Sequence, residues 1–135
     1  MEILVYNLGQ SLKAAEAIHK LKKEKEVSLV TLEGAGGSLG IGICYQWQVA
    51  LDKLYKSQVS FVVDCGNHPG RALSGLRVGL KRLRCLCHPA AFERLRQIAQ
   101  RKGSHMEQKG NSPILDLLNC PDPHIYEVCQ KFLTI

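Results

Sequence analysis

Short β-branched runs alternate with amphipathic stretches along nearly the whole chain, and this alternation narrows the fold more than any other feature. The runs open near residues 2, 27, 58 and 81, which gives one β–α unit every 23 to 31 residues. Strand followed by helix, repeated, implies right-handed crossovers and a mainly parallel sheet covered by helices. A chain of 135 residues can enclose one such core and not two. We therefore expect a single α/β domain over residues 1–135: a small three-layer fold with a mainly parallel sheet of four to five strands and helices on both faces. Four β–α units are also half of a (β/α)8 barrel. That form leaves apolar faces or edges bare and so has to dimerise, and the sequence leaves it open as the alternative.

Glu2–Tyr6, Val27–Leu32, Gln58–Asp64 and Lys81–Cys87 are the four strands. Ser11 is placed to cap a helix running to about Lys25, within which Ala14, Ala15, Ile18 and Leu21 recur at helical spacing. A second helix continues from the glycine-rich segment 34–42 to about Lys56, with Ile43, Trp47, Ala50, Leu51 and Leu54 as its inner face. Pro69 opens a third helix and Gly79 closes it, while His88-Pro89 and Gly103 bound a fourth. In Lys81–Cys87, Leu83, Cys85 and Cys87 alternate with Arg82 and Arg84, the pattern of a half-exposed strand near a sheet edge. Segment 104–121 reads as irregular, with a loop at Gly110-Asn111-Ser112-Pro113. Segment 122–135 reads as a C-terminal helix that turns Ile125, Val128, Cys129 and Phe132 inward.

The formal charge of +6 is not spread evenly. Residues 1–70 carry seven basic and seven acidic side chains, and residues 103–135 carry two and four. Residues 71–102 carry nine basic side chains (Arg71, Arg77, Lys81, Arg82, Arg84, Arg94, Arg96, Arg101 and Lys102) against Glu93 alone. Seven of the nine are arginine, whose planar fork suits phosphate and carboxylate. The one aromatic in this stretch, Phe92, falls on the buried stripe of its helix, so base stacking, and with it nucleic-acid binding, is not expected. No apolar run is long enough for a membrane span. Met1-Glu2 passes directly into Ile3-Leu4-Val5 without a basic leader, so no signal peptide is read. Six cysteines in a chain of this size and helical content read as reduced thiols, and a cytoplasmic location is expected.

Ligands of parallel α/β folds gather at the carboxyl ends of the strands. Three segments fall there. The first is Gly34-Ala35-Gly36-Gly37-Ser38-Leu39-Gly40-Ile41-Gly42, where Gly36, Gly37 and Ser38 are positioned to offer amides and a hydroxyl to an anion. It lacks the Lys-Ser or Lys-Thr ending of a P-loop, and Leu39 stands where a dinucleotide fingerprint needs its third glycine. The second is Asp64-Cys65-Gly66-Asn67-His68-Pro69-Gly70-Arg71. Here Asp64 has the chemistry of a general base, His68 of a proton donor, Asn67 of a polar contact and Arg71 of a charge clamp; Cys65 is a candidate nucleophile beside them. Asp64 is equally suited to bonding the amides of its own turn. The third is Cys85-Leu86-Cys87-His88. Its spacing relative to Cys65 and His68 matches no standard zinc pattern, and we assign no metal ligand. Cys44, Cys120 and Cys129 fall on packing positions.

Gly36 to Gly42, preceded by Val30-Thr31, resembles the G-x-x-x-G-x-G turn of short-chain dehydrogenase/reductases. The resemblance covers about a dozen residues. The turn here follows the second strand rather than the first, and the Tyr-x-x-x-Lys pair of that family is absent. A broader likeness runs from Thr31 to Gly103. The glycine turn, then Val63-Asp64-Cys65-Gly66, then Arg71-Ala72-Leu73-Ser74-Gly75-Leu76-Arg77-Val78-Gly79-Leu80-Lys81-Arg82 is similar to a set of short uncharacterised bacterial α/β proteins. That likeness implies a compact cytoplasmic domain and carries no activity or cofactor with it.

The function expected from these residues is binding of a small phosphate- or carboxylate-containing ligand at the strand ends. The alternative is a non-catalytic interaction protein in which Arg82, Arg84, Arg94 and Arg96 of the basic 71–102 segment dock an acidic partner. A homo-oligomer is a further possibility, with that segment against the acidic 107–127 region of a neighbouring subunit. Cofactor, and whether the chain is an enzyme, are left unassigned.

Overall fold

A computed structural model describes residues 1–110 and 114–135. It has the expected α/β class: one sheet, every pairing parallel, with helices packed on it. The strands are β1 (Glu2–Val5), β2 (Ser28–Thr31), β3 (Ser60–Asp64), β4 (Arg82–Arg84), β5 (His105–Glu107) and β6 (Ile114–Asp116), in the order β5-β4-β3-β2-β1-β6. The helices are α1 (Leu8–Lys20), α2 (Ile41–Tyr55), α3 (Pro69–Val78), α4 (Pro89–Lys102) and α5 (Ile125–Leu133). A π-helical turn, Gly36–Gly40, leads into α2, and a 3-10 turn, Asp122–His124, leads into α5. Among the described residues no helix is long and apolar enough to cross a membrane.

Six strands replace the expected four to five. The two additions lie in segment 104–121, which is therefore not wholly irregular; the turn read at Asn111-Ser112-Pro113 lies outside the described residues. β5 and β6 are three residues each and borrow their order from neighbours: Leu83 pairs with Met106, and Ile3 with Leu115. β5 also covers β4, so the strand expected near the sheet edge is an inner one.

Local chemistry sets the helix ends. Asn7, not Ser11, caps α1: its Oδ1 accepts the Gln10 amide at 2.8 Å, while the Ser11 hydroxyl bonds back to the Asn7 carbonyl inside the first turn. Replacing Asn7 with alanine is expected to lower stability by about 1 kcal/mol in a urea melt, with Ser11→Ala smaller. Pro69 and Gly79 bound α3, and His88 and Gly103 bound α4, as their sequence positions indicate; Gly79 and Gly103 sit at φ +104° and +73°, which an L side chain resists. The inner face of α2 is Cys44, Trp47, Gln48 and Leu51. Ile43 and Leu54 point outward at 47% and 62% exposure, because a helix apolar on several sides does not declare its buried stripe by apolarity alone.

Helices touch one another in a continuous layer, α5 on α1, α1 on α2, α2 on α3 and α3 on α4. Against it the strands bury Ile3, Val5, Leu29, Phe61, Val63, Leu83 and Met106. The alternate residues of the same strands point to the opposite face. These include Glu2, Ser28, Ser60, Arg82, Arg84 and Glu107, with Val30 and Val62 buried between them.

That second face is concave. Arg84 on β4 donates to Glu2 on β1 at 2.9 and 3.2 Å. By the strand registers the two residues lie three strands across and four residues along, which in a flat sheet separates their Cα atoms by roughly 19 Å, beyond the reach of the two side chains. Curvature closes the gap, and it is the property that the half-barrel alternative carries. Arg84 also bonds Glu107 at 2.9 Å, and Arg82 reaches Glu107, Ser28 and Ser60. Gly110 lies directly over Glu2 and Arg84, where any side chain at that position meets both.

Candidate functional site

The carboxyl ends of β2, β3 and β4 are tied by backbone turns. After β2 the chain enters Gly34 at φ +75°, and after β3 it enters Gly66 at φ +61°. These conformations suit glycine, and the two turns pack on one another. Asp64 Oδ1 accepts the amides of Gly66 at 2.7 Å and Gly34 at 3.3 Å, and its own amide donates to Thr31 Oγ1 at 2.9 Å. Leu86 N donates to the Gly66 carbonyl at 2.8 Å, which fixes the end of β4 to the same place. Asp64 is thus a positioning residue for two turns.

Beside these turns lies an open cleft of about 650 Å³, lined by Leu32, Glu33, Gly34, Gly66, Asn67, His68, Arg71 and Leu86. Three of the expected ligand-binding or catalytic residues, Asn67, His68 and Arg71, therefore share one wall. His68 precedes α3 and makes no side-chain capping bond there, so its ring is available to the cleft. Arg71, in the first turn of α3, lays its guanidinium over Gly37, the contact that excludes a Cβ at that glycine. The glycine turn and Arg71 are neighbours, although they lie more than thirty residues apart in sequence.

The glycine turn does not cradle an anion in the expected way. The amides of Gly37 and Ser38 both donate to the Gly34 carbonyl, at 2.9 and 3.1 Å, and are already spent. Gly36 is buried against Cys65 Sγ, and a Cβ there would lie 3.0 Å from the sulfur. Ser38 is exposed and lines no part of the cleft. The segment instead allows close packing beneath Cys65 and Arg71.

Cys65 is not the accessible nucleophile its sequence neighbours suggest. It is fully buried, and burial together with Cys85, Asp64 and Cys44 pushes its thiol up to about 12, against a smaller opposing pull from Arg71. Cys85 is buried as well, with its thiol likewise at about 12, first from burial and then from Cys87. A thiol in such a setting stays protonated and unreactive at neutral pH. All six cysteines are free, and among the described residues no three His, Cys, Asp or Glu side chains form a metal-binding group.

Four of the nine cations of the basic segment are paired within the chain, among them three of the four arginines expected to dock a partner. Arg82 pairs with Glu107, Arg84 with Glu2 and Glu107, Arg96 with Glu93 and Lys81 with Asp52. Of the four arginines expected to dock a partner, Arg94 alone makes no ion pair among the described residues. Glu107, expected to face a neighbouring subunit, is likewise engaged inside its own chain.

Sequence reasoning missed the concave face. Glu2, Tyr6, Glu33, Asp64, Arg84 and Asp116 line a cavity of about 320 Å³ adjoining the cleft, over a floor of Leu4 and Val30. A signal was present: polar residues stand at alternate positions of otherwise apolar strands, at Glu2, Ser28, Ser60, Arg82 and Arg84. Tyr6 is held protonated beyond its ordinary range by burial and by the neighbouring Asp116. No protein-family model matches the chain, and no curated protein matches it.

Proposed function

We propose that the chain binds a small anionic molecule, bearing a phosphate or carboxylate, in the cleft at the carboxyl ends of β2 and β3. The observation that carries this reading is Arg71: a guanidinium without an ion pair among the described residues, seated on Gly37 at the wall of a cleft it shares with Asn67 and His68. Its fork suits two oxygens of one anion. His68 supplies a second donor, and Asn67 supplies an amide. Asp64 supports the site by holding Gly34 and Gly66 together, and Leu32 and Leu86 provide apolar surface for the rest of the ligand.

Titration calorimetry with phenyl phosphate tests this. Arg71→Ala is expected to weaken binding by about tenfold to a hundredfold, since it removes a charge-assisted, two-point contact. Gly37→Ala should weaken it too, because the new methyl displaces the guanidinium, with little change in stability since the displaced group is the end of a flexible side chain. Wild-type affinity in both variants would overturn the reading.

Arg77 on α3 and Arg94, Arg101 and Lys102 on α4 make no ion pairs among the described residues, and α3 packs on α4. They support a second reading, a basic surface for an acidic partner, which predicts salt-sensitive retention on heparin that survives Arg71→Ala.

A further inference from the structure

We propose that the outer face of α2 is the contact surface of a homodimer, in which two copies of α2 pack antiparallel about a twofold axis beside Gln46 and Val49. The inference is independent of the cleft and concerns the convex side of the molecule. α2 lies in the middle of the helical layer, between α1 and α3. Its inner row, Cys44, Trp47, Gln48 and Leu51, is buried, and residues 42, 46, 49 and 53 form the exposed row that points away from it.

That outer side is apolar where the other helices are charged. Ile41 to Leu51 contains no charged residue. By contrast, α1 exposes Lys13 and Lys20, α3 exposes Arg71 and Arg77, α4 exposes Arg94 and Arg96, and α5 exposes Glu127 and Lys131. Ile43, Tyr45, Val49 and Leu54 of α2 and Val78 at the end of α3 are between 36% and 62% exposed. They are five of the ten large apolar side chains exposed among the described residues. Tyr45 lies against Gly79, so the patch continues onto the end of α3. A helix that is apolar on every side is normally covered on every side.

The patch has what contact with its own copy requires. It is uncharged across its centre although the chain carries +6, so two copies meet there without repulsion. Gln46 carries both a donor and an acceptor, and can bond the same residue of a second copy. Nothing lies over Gly42, which leaves room for the neighbouring helix to approach. Lys53 is the one cation of the row and stands at its end. An antiparallel pair keeps the two Lys53 residues about 16 Å apart along the helices, beyond the screening length of physiological salt, whereas a parallel pair brings them together. Arg77 lines a cavity with Lys102 and His105 on the α4 side of α3, away from α2. The exposed parts of the five apolar side chains amount to roughly 450 Å² per copy, the size of a functional patch. With Gly42, Gln46 and Lys53 included, a symmetric pair buries about 1,200 Å², the lower end of the range for specific interfaces.

Sedimentation equilibrium of the full chain between about 1 and 200 µM tests this surface. The wild type is expected to dimerise with a Kd of about 10 µM, in keeping with an interface of that area. Raising sodium chloride from about 0.05 to 0.5 M should leave the dimer intact, whereas a dimer that pairs the basic segment with acidic residues of a neighbour weakens. Gln46→Lys and Val49→Lys each set like charges against one another at the axis and are expected to weaken association by about a hundredfold. Both positions are exposed, and an unchanged far-ultraviolet circular dichroism spectrum separates lost contact from lost fold. A wild type that stays monomeric at about 200 µM overturns the proposal and leaves the face to a different protein. A dimer that persists in both variants, or that dissolves in high salt, also overturns it, because the contact then lies elsewhere.

Discussion

Replacing Arg84 with methionine is expected to destabilise the protein by about 3–5 kcal/mol, the largest effect of any single substitution considered for this fold. Arg84 is 12% exposed and bonds two carboxylates, Glu2 on β1 and Glu107 on β5, that are themselves 9% and 17% exposed. Burial works against its charge, and the two carboxylates outweigh burial and hold the guanidinium above its ordinary pKa. Methionine fills much of the same volume but leaves Glu2 without a cation and Glu107 with Arg82 alone. The loss therefore comes from stranded charge rather than from a cavity. Urea melts at pH 7 should show a lower midpoint with an unchanged slope. Adding Glu2→Gln and Glu107→Gln to Arg84→Met should restore much of the stability, because it removes the uncompensated charges. A loss below about 1 kcal/mol for Arg84→Met would place the triad in water and remove the case for a curved, desolvated face.

The second large effect is alkaline. Cys44, Cys65, Cys85 and Cys129 are fully buried, and burial is the leading cause that pushes their thiols up, Cys44 to about 11 and the other three to about 12. In the unfolded chain the same thiols ionise near about 8.5. Below that value both states hold the proton, and the stability they contribute is fully present. As pH rises above it the unfolded chain releases protons that the folded chain keeps, so stability falls until the folded thiols ionise in turn. The limiting slope is about 1.4 kcal/mol per pH unit for each thiol, and half of that from four thiols is roughly 3 kcal/mol per unit. Urea melts in reducing buffer should therefore agree between about pH 7 and 8 and weaken steeply between about pH 9 and 11. Cys129→Val should shallow that slope by about a quarter. A flat profile to about pH 10.5 contradicts the burial of these thiols.

How far the fold could be read in advance depended on what set each element. Strands β1 to β4 are continuous β-branched or alternating runs, and helices α3 and α4 are bracketed by Pro69 and Gly79 and by His88-Pro89 and Gly103, so local chemistry alone located them. β5 and β6 are three residues each and exist because β4 and β1 present free edges to them, which no local pattern records. Asn7 took the cap from Ser11 because the chain leaves β1 only two residues before α1 begins, a distance set by packing.

That Asn67, His68 and Arg71 lie along one cleft was legible, because they share one strand-to-helix connection. The glycine turn was legible as a place of close approach, but not for the reason given: Gly37 admits the Arg71 side chain rather than an anion. Cys65 is buried rather than accessible because it lies among Gly36, Cys44 and Cys85, all distant in sequence. Glu2, Glu33 and Asp116 gave no sign of belonging together, since sheet curvature and strand order alone unite them.

Amide chemical-shift mapping of the full chain with phenyl phosphate tests the central claim most directly. Binding in the cleft predicts saturable shifts at Gly34, Gly66, Asn67, His68 and Arg71 that vanish in Arg71→Ala. Shifts confined to Arg77, Arg94, Arg101 and Lys102, or the same cleft shifts in Arg71→Ala, would contradict it.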